Sequence, residues 1–549
     1  MIDTRRTLDP IGQLLQPSVS RRVVLRTAIG AGAAIPALGL SRLAAAQEGT
    51  PGGTAVVVCA ANPASWDFTK TTWPTFEALC FMYDRLLTLN DEEELQPALV
   101  TAWEVSEDGL EYSLTLREGV TFHDGTPFNA DAVKFNIERH LAIPDSASYA
   151  DYDAVERIDV IDDLNVKIVL GEVRPNFAYL GLSQWGAAQV SPTAYKELGE
   201  HYSDAPVGTG PFKFDSYVPG SFIRYVRNEN YWGGAPLLDA VEVKIIPEPS
   251  VQLVEIEAGT ADAVIVTDPQ NVARLEDAGL TVVSVITADT VFISFNVSQP
   301  PTNELAVRNA IAHAIDRDTI IESVLLGYAE KARAGVTTTS PFYNEDVPMV
   351  EYDPEEAGRI LDEAGWVMGA EGVRERDGQT LTLNQISTDF ENWGLFNQII
   401  QEQLQAIGIN SEISTLEWNA YLDQWRENQG GWNATYHQQG TQVAATEAIE
   451  AGWQPDAYWT ITQIDDATDS DLVAARDELQ AIWDEWQVTL DPERRQELAT
   501  RAQTIYQDNQ LAVWLWHRAY IHAFQPRLKD YRLTDIGRLV ELDKAWIEE

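Results

Sequence analysis

Apolar and polar positions along the chain switch between two periods, and the switches mark the elements. Residues 54–60 form a β-branched apolar run that reads as a buried strand. Leu79, Met82, Tyr83 and Leu86 fall at helical spacing and predict a helix over 76–87. Tyr112, Leu114 and Leu116 alternate with Ser113, Thr115 and Arg117, the pattern of a strand with one buried face. Asp124-Gly125 then signals a turn, and Asn129 and Asp131 offer caps to a helix carrying Ala132, Val133 and Ile137.

Further along, Phe212 and Phe214 on one side of Val218-Pro219-Gly220, and Ile223 and Tyr225 on the other, predict a hairpin. A strand over 241–246 and a helix over 251–257, stopped by Gly259, follow. Residues 291–295 read as a strand, 296–303 as a Pro-containing connection, and Val307, Ile311, Ala314 and Ile315 as the apolar stripe of a helix. Asp316 is placed to cap the next helix, which ends at Gly327. Asp353-Pro354-Glu355-Glu356 puts a capping Asp, a first-turn Pro and two acids at the positive end of a helix that stops at Gly365. Residues 396–407 form a helix closed at Gly408, and 471–508 are strongly helical. Strands and helices mix throughout without a repeat, which predicts α/β lobes.

Composition adds limits. At 549 residues the chain exceeds what one core holds, so two or three lobes are expected. A net charge of -47 repels nucleic-acid phosphates and anionic lipid heads, which excludes DNA and RNA as partners. The same charge serves solubility or life in high salt. Cys59 and Cys80 are compatible with a disulfide or with two thiols, and no CxxC pattern indicates a metal or redox site.

The amino terminus reads as an address. Arg21-Arg22 precede a weakly hydrophobic stretch to Leu43, and Ala44-Ala45-Ala46 offer a small-residue cleavage site. Residues 1–46 are therefore expected to be a twin-arginine (Tat) signal peptide, followed by a linker over 47–53. The competing reading, a membrane anchor over 27–43, is marginal in length and ends on Arg42.

Four segments carry a family resemblance. They are 108–127, ending Phe122-His123-Asp124-Gly125-Thr126-Pro127; 206–214, containing Gly208-Thr209-Gly210-Pro211; 228–234, containing Tyr231-Trp232-Gly233-Gly234; and 307–317, from Val307-Arg308 to Asp316-Arg317. In this order they resemble the extracytoplasmic solute-binding proteins of family 5, the peptide/nickel type that serves ABC transporters. The resemblance implies an α/β, two-lobed periplasmic-binding-protein-like fold (type II, cluster C) with an extra inserted domain. It places lobe I at 52–89, 204–296 and 518–549, the inserted domain II at 90–203, and lobe III at 297–517. The strand ending at Asn296 and the one through 513–516 become the candidate hinges. Arg117, His123 and Asp124 are expected to be framework, and Gly208 and Gly210 to supply backbone angles.

The implied activity is capture of a small solute, a peptide or an oligosaccharide, by hinge closure, and delivery to an ABC permease and ATPase complex. The expected protein is a monomer, periplasmic or at the cell surface, with no cofactor, no metal and no catalysis. Peptide binders of the family often hold the ligand's amino group with a Trp and an Asp after a distal strand. Here Tyr436, His437, Gln438 and Gln439 stand about there, without a carboxylate. A buried ammonium without a counter-charge is costly, so a neutral polyhydroxyl ligand stacked on tryptophans fits as well. The candidate ligand-binding residues are Asn62, Trp73, Trp393, Trp418, Tyr436 and Gln438, with Trp432 and Trp453 nearby. The alternatives are a secreted hydrolase, although GxSxG and HExxH are absent and the 7 His are scattered, and a sensor or chaperone on the same fold.

Overall fold

The computed structural model describes residues 49–70, 76–90, 94–143, 146–338, 340–388, 393–426, 428, 430–439, 462–533 and 540–548. The expected signal peptide, Trp73 and Trp453 lie outside them, as do the side chains of His437, Gln438 and Gln439.

One 11-stranded sheet runs through most of the molecule. Across it the strands are Asn410–Leu416, Thr382–Thr388, Ala434–Gln439, Thr281–Phe295, Ala512–Phe524, Ala263–Val266, Thr54–Cys59, Ala240–Ile245, Phe222–Arg227 and Phe212–Val218, with Ala329–Lys331 pairing off this path. The two central strands are long and antiparallel, and each has partners in both halves of the sheet or reaches both. Thr281–Phe295 is called here the first crossing strand and Ala512–Phe524 the second. A separate four-stranded antiparallel sheet is built from Val100–Val105, Glu111–Leu116, Val155–Asp162 and Asn165–Leu170.

Three large cores follow this division. One gathers residues between Val291 and Trp516. The second joins Ala55, Val57 and Tyr83 to Tyr225, Val243 and Leu542. The third lies between the four-stranded sheet and the helix Ala130–Leu141. Trp185, Val190, Ala194 and Tyr202 pack into the second core, ahead of the domain boundary that the sequence placed at 203. A buried ion pair joins the second and third units: Arg139 reaches Asp67, which also accepts from the Tyr195 hydroxyl at 3.0 Å. The arginine and the hydrogen bonds hold the Asp67 carboxyl below its ordinary range against the opposing effect of burial.

Local signals mostly act as read. Asn129 accepts from Ala132 N–H at 3.1 Å, Asp316 from Thr319 N–H at 2.9 Å and Asp353 from Glu356 N–H at 2.9 Å, each starting its helix. Glu111–Leu116 buries every second residue. The expected helix over 76–87 differs: it stops at Leu79. Its apolar positions are buried, but the Phe81 and Met82 carbonyls accept from Phe212 and Gly210 N–H, each at 3.0 Å. A tertiary backbone pairing replaces the helical one. Gly208 and Gly210 serve that approach and do not have positive φ, which corrects the expectation that they supply unusual angles. A Cβ on Gly210 would sit 2.5 Å from the Met82 carbonyl carbon and 2.6 Å from the Tyr83 nitrogen.

No disulfide joins Cys59 and Cys80. Among the described residues no helix is long and apolar enough to cross a membrane.

Candidate functional site

The second crossing strand changes partner along its length. Trp516, His517 and Arg518 pair with Ala329–Lys331, whereas Ile521 to Phe524 pair with Ala263–Val266. Ala519 and Tyr520 fall between the two ladders. The first crossing strand is irregular at the same level, with register shifts between Ile286 and Thr290 and again between Val291 and Phe292. Ladders that break together leave a crevice at a change of strand order, where ligands of open α/β sheets bind. Here it is a cavity of about 60 Å³.

Its walls come from both halves of the molecule. Ile265, Val266, Thr267 and Pro269 extend from the strand Ala263–Val266 on one side. Leu325 and Tyr328, with Trp393 and Phe396 of the helix Trp393–Ala406, close the other. Val291, Trp516 and residues 518–521 form the floor. The Phe396 and Trp516 rings meet at 4.9 Å, giving one wall an aromatic face.

Polar groups hold the floor. Thr287 donates its hydroxyl to the Arg518 carbonyl at 3.3 Å, and the Tyr520 hydroxyl donates to Asp289 at 2.7 Å. His517 Nδ1 lies 2.8 Å from the Thr290 hydroxyl, and burial lowers the imidazole to about 3, so the ring is neutral.

Of the residues singled out in the sequence, Trp393 lines the cavity. Tyr436 is paired with Ile293 behind the aromatic wall and is fully buried, its hydroxyl 3.5 Å from the Phe396 carbonyl. Gln438 is in register with cavity-lining Val291. Asn62 and Trp418 do not line the cavity. The Asn62 side-chain oxygen accepts from the Tyr217 hydroxyl and from Gly220 N–H, which ties down the hairpin 212–227. Trp418 is 43% exposed and stacks on Tyr421. Trp432 is buried in the core, where a sugar ring has no access. Sequence reading missed Tyr328, Arg518 and Tyr520. The signal for Arg518 and Tyr520 was the polar interruption His517-Arg518 in an otherwise apolar run; Tyr328 had no local signal.

The residues that invite a catalytic reading are occupied structurally. His123 Nε2 lies 3.0 Å from the Gly210 carbonyl, and burial lowers its imidazole to about 4. Asp124 accepts from the Ser191 hydroxyl at 2.6 Å, and Arg117 Nε donates to the Ala98 carbonyl at 2.9 Å. Arg308 donates to the Thr302, Asn509 and Gln510 carbonyls, satisfying the end of the helix Pro492–Asp508. Arg317 Nη1 donates to the Ala332 and Trp514 carbonyls, at 3.3 and 3.0 Å. Among the described residues no group of three or more His, Cys, Asp or Glu is placed to hold a metal.

A crevice between two halves, floored by two crossing strands, defines the periplasmic-binding-protein class of fold. Residues 94–516 match the model of the bacterial extracellular solute-binding proteins, family 5, and the chain belongs to that family. The heme-binding protein A of Haemophilus influenzae is 30% identical over 381 residues, 63% of this chain and 67% of that protein. The dipeptide-binding protein of Escherichia coli is 26% identical over 555 residues, 91% of this chain and 96% of that one. Among solved structures, NikA from Brucella suis in complex with Fe(III)-EDTA shares 24% identity and a TM-score of 0.82, with 90% of this chain and 100% of that chain covered. The oligopeptide-binding protein AppA from Bacillus subtilis, in complex with a nonapeptide, has 21% identity and a TM-score of 0.71, over 91% and 100%. The oligosaccharide expectation finds no support in these relatives, and the burial of Trp432 removes one of its stacking surfaces.

Proposed function

We propose that this protein is the substrate-binding component of an ABC importer and takes a small peptide-class solute. The observation that carries this reading is the cavity, walled by side chains from both halves and floored where both crossing strands lose regular pairing. Interrupted ladders are the places where a sheet bends most easily, so closure would pivot there. The divisions at 52–89, 204–296 and 518–549, at 90–203 and at 297–517 then act as lobe I, inserted domain and lobe III. A ligand with higher affinity for the closed form drives closure, and no bond is made or broken.

The peptide class is favoured by the relatives named for dipeptide and glutathione, which match most of this chain. The reading includes export through the segment 1–46 and delivery to a permease and ATPase. To test it, purified protein is titrated with a dipeptide and tetrapeptide library, followed by tryptophan fluorescence and small-angle scattering. Saturable binding with a smaller radius of gyration is expected. Absence of any peptide-induced change, or turnover of a bound peptide, would overturn it.

A further inference from the structure

We propose that the turn Leu325–Tyr328 is a latch between the two halves of the molecule, and that Tyr328 is the side chain that favours the closed form. This rests on the solute-binding reading above and adds the device that sets its open–closed balance. Two cores meet at the turn. Leu325 packs against the large core between Val291 and Trp516. Tyr328, three residues on, packs instead against a smaller core built around Leu253, Ile256, Val264, Val266 and Leu275. The other described residues of that smaller core lie at 56, 58, 253–282 and 521–523, so Tyr328 is the one contributed from 297–517. Val266 and Tyr328 also line the cavity together. One side chain thus reaches from one wall of the crevice to the core behind the other.

The backbone is bent to make this reach. Leu326 and Gly327 both hold positive φ, 52° and 81°, and Tyr328 N–H donates to the Leu325 carbonyl at 2.8 Å. Asn-Gly or Gly-Gly adopts such a turn with ease, whereas leucine does so at a cost. Leu326 is 41% exposed, so packing of its own side chain does not offset that strain. Gly327 N–H ties the turn to the Ile321 carbonyl at 2.9 Å. The Tyr328 carbonyl accepts from Ala519 N–H at 3.4 Å, on the second crossing strand where its two ladders part. Strained backbone persists where its surroundings over-determine it, and it clusters at ligand clamps and switches. Here its result is to set Leu325 and Tyr328 on different cores. Opening the crevice withdraws the Tyr328 ring from the smaller core and exposes apolar surface on both sides. The contact therefore favours closure with or without a solute, and a bound solute leaves only after it breaks.

Small-angle scattering of ligand-free wild type and Tyr328→Ala reads this balance without a solute. Stopped-flow release of the tightest-binding dipeptide of the library reads it with one. Tyr328→Ala is expected to show the larger radius of gyration and to release dipeptide about tenfold faster. Saturating dipeptide should bring both proteins to one radius, which a merely loosened fold would not reach. Tyr328→Leu, a smaller truncation, takes the place of Tyr328→Ala if circular dichroism shows the latter unfolded, and the same directions are expected. In the folded variant, an unchanged ligand-free radius, unchanged release, or a radius that dipeptide does not restore overturns the latch and leaves solute binding standing. Unfolding of both variants also overturns it, because Tyr328 then serves the fold and not its opening. If no dipeptide binds wild type, the peptide reading fails and the ligand-free radius alone decides the latch: a rise supports it, and no change overturns it.

Discussion

The indole N–H of Trp232 donates to Asp84 at 2.8 Å, and the hydroxyl of neighbouring Tyr231 donates to the other oxygen of the same carboxylate at 2.9 Å. The Asn228–Gly234 signature is thus a clamp on one half-buried carboxylate, and Arg117 from the first signature lies 4.3 Å over the Trp232 ring. Burial raises the Asp84 carboxyl, and the hydrogen bonds oppose that rise. Asp84→Ala leaves two half-buried donors without their acceptor, and a loss of about 1–3 kcal/mol is expected in urea unfolding. Trp232→Phe, which removes one donor and keeps a ring under Arg117, should cost less than half of that.

Gly210 and Gly394 give opposite expectations for the same change. Gly210→Ala pushes a Cβ into the Met82–Tyr83 backbone and should destabilise by about 2–4 kcal/mol. Gly394→Ala, where nothing lies within 4 Å, should be neutral or stabilise its helix by about 0.5 kcal/mol. Melting curves of the two variants side by side decide this.

Acid should unfold the protein through its buried imidazoles. Burial lowers His123 to about 4 and His140 and His517 to about 3, while in the unfolded chain each titrates near 6.5. The unfolded state therefore binds more protons between those limits, and stability falls as pH drops from about 6.5 towards 3, each imidazole contributing up to about 1.4 kcal/mol per pH unit. Urea midpoints at pH 7, 5.5 and 4.5 should fall in that order, and His517→Gln should make the dependence shallower. A midpoint that rises on acidification contradicts this account.

Ligand affinity should separate Trp393 from Trp418. Trp393 lines the cavity whereas Trp418 stacks on Tyr421 outside it. Trp393→Ala is expected to weaken binding of an identified peptide about tenfold or more, and Trp418→Ala to leave it within about twofold. Calorimetric titration checks both, and equal effects would move the binding surface elsewhere.

Export can be tested apart from binding. Arg21→Lys combined with Arg22→Lys should trap the full-length protein in the cytoplasm, because the twin-arginine route requires the pair. Fractionation followed by immunoblotting reads the outcome; undisturbed export would point to another route.

Sequence alone determined what depends on neighbours a few residues away. The caps at Asn129, Asp316 and Asp353, the alternation of Glu111–Leu116 and the hairpin around Pro219 are local contests between backbone and side chain, and their winners are written in adjacent residues. The signatures also identified the family before any fold was known. Tertiary structure decided the rest. The helix expected at 76–87 ends at Leu79 because residues 210–212, far along the chain, take its carbonyls. The first crossing strand runs from Thr281, through a polar stretch with no strand period, because two long-range partners pair with it. The cavity lining joins residues from 265 to 521, and no local pattern says which of many aromatic side chains face a crevice and which, like Trp432 and Tyr436, fill a core. Periodicity reports that a residue is buried; only the packing of distant strands settles whether it is buried against protein or against a solute.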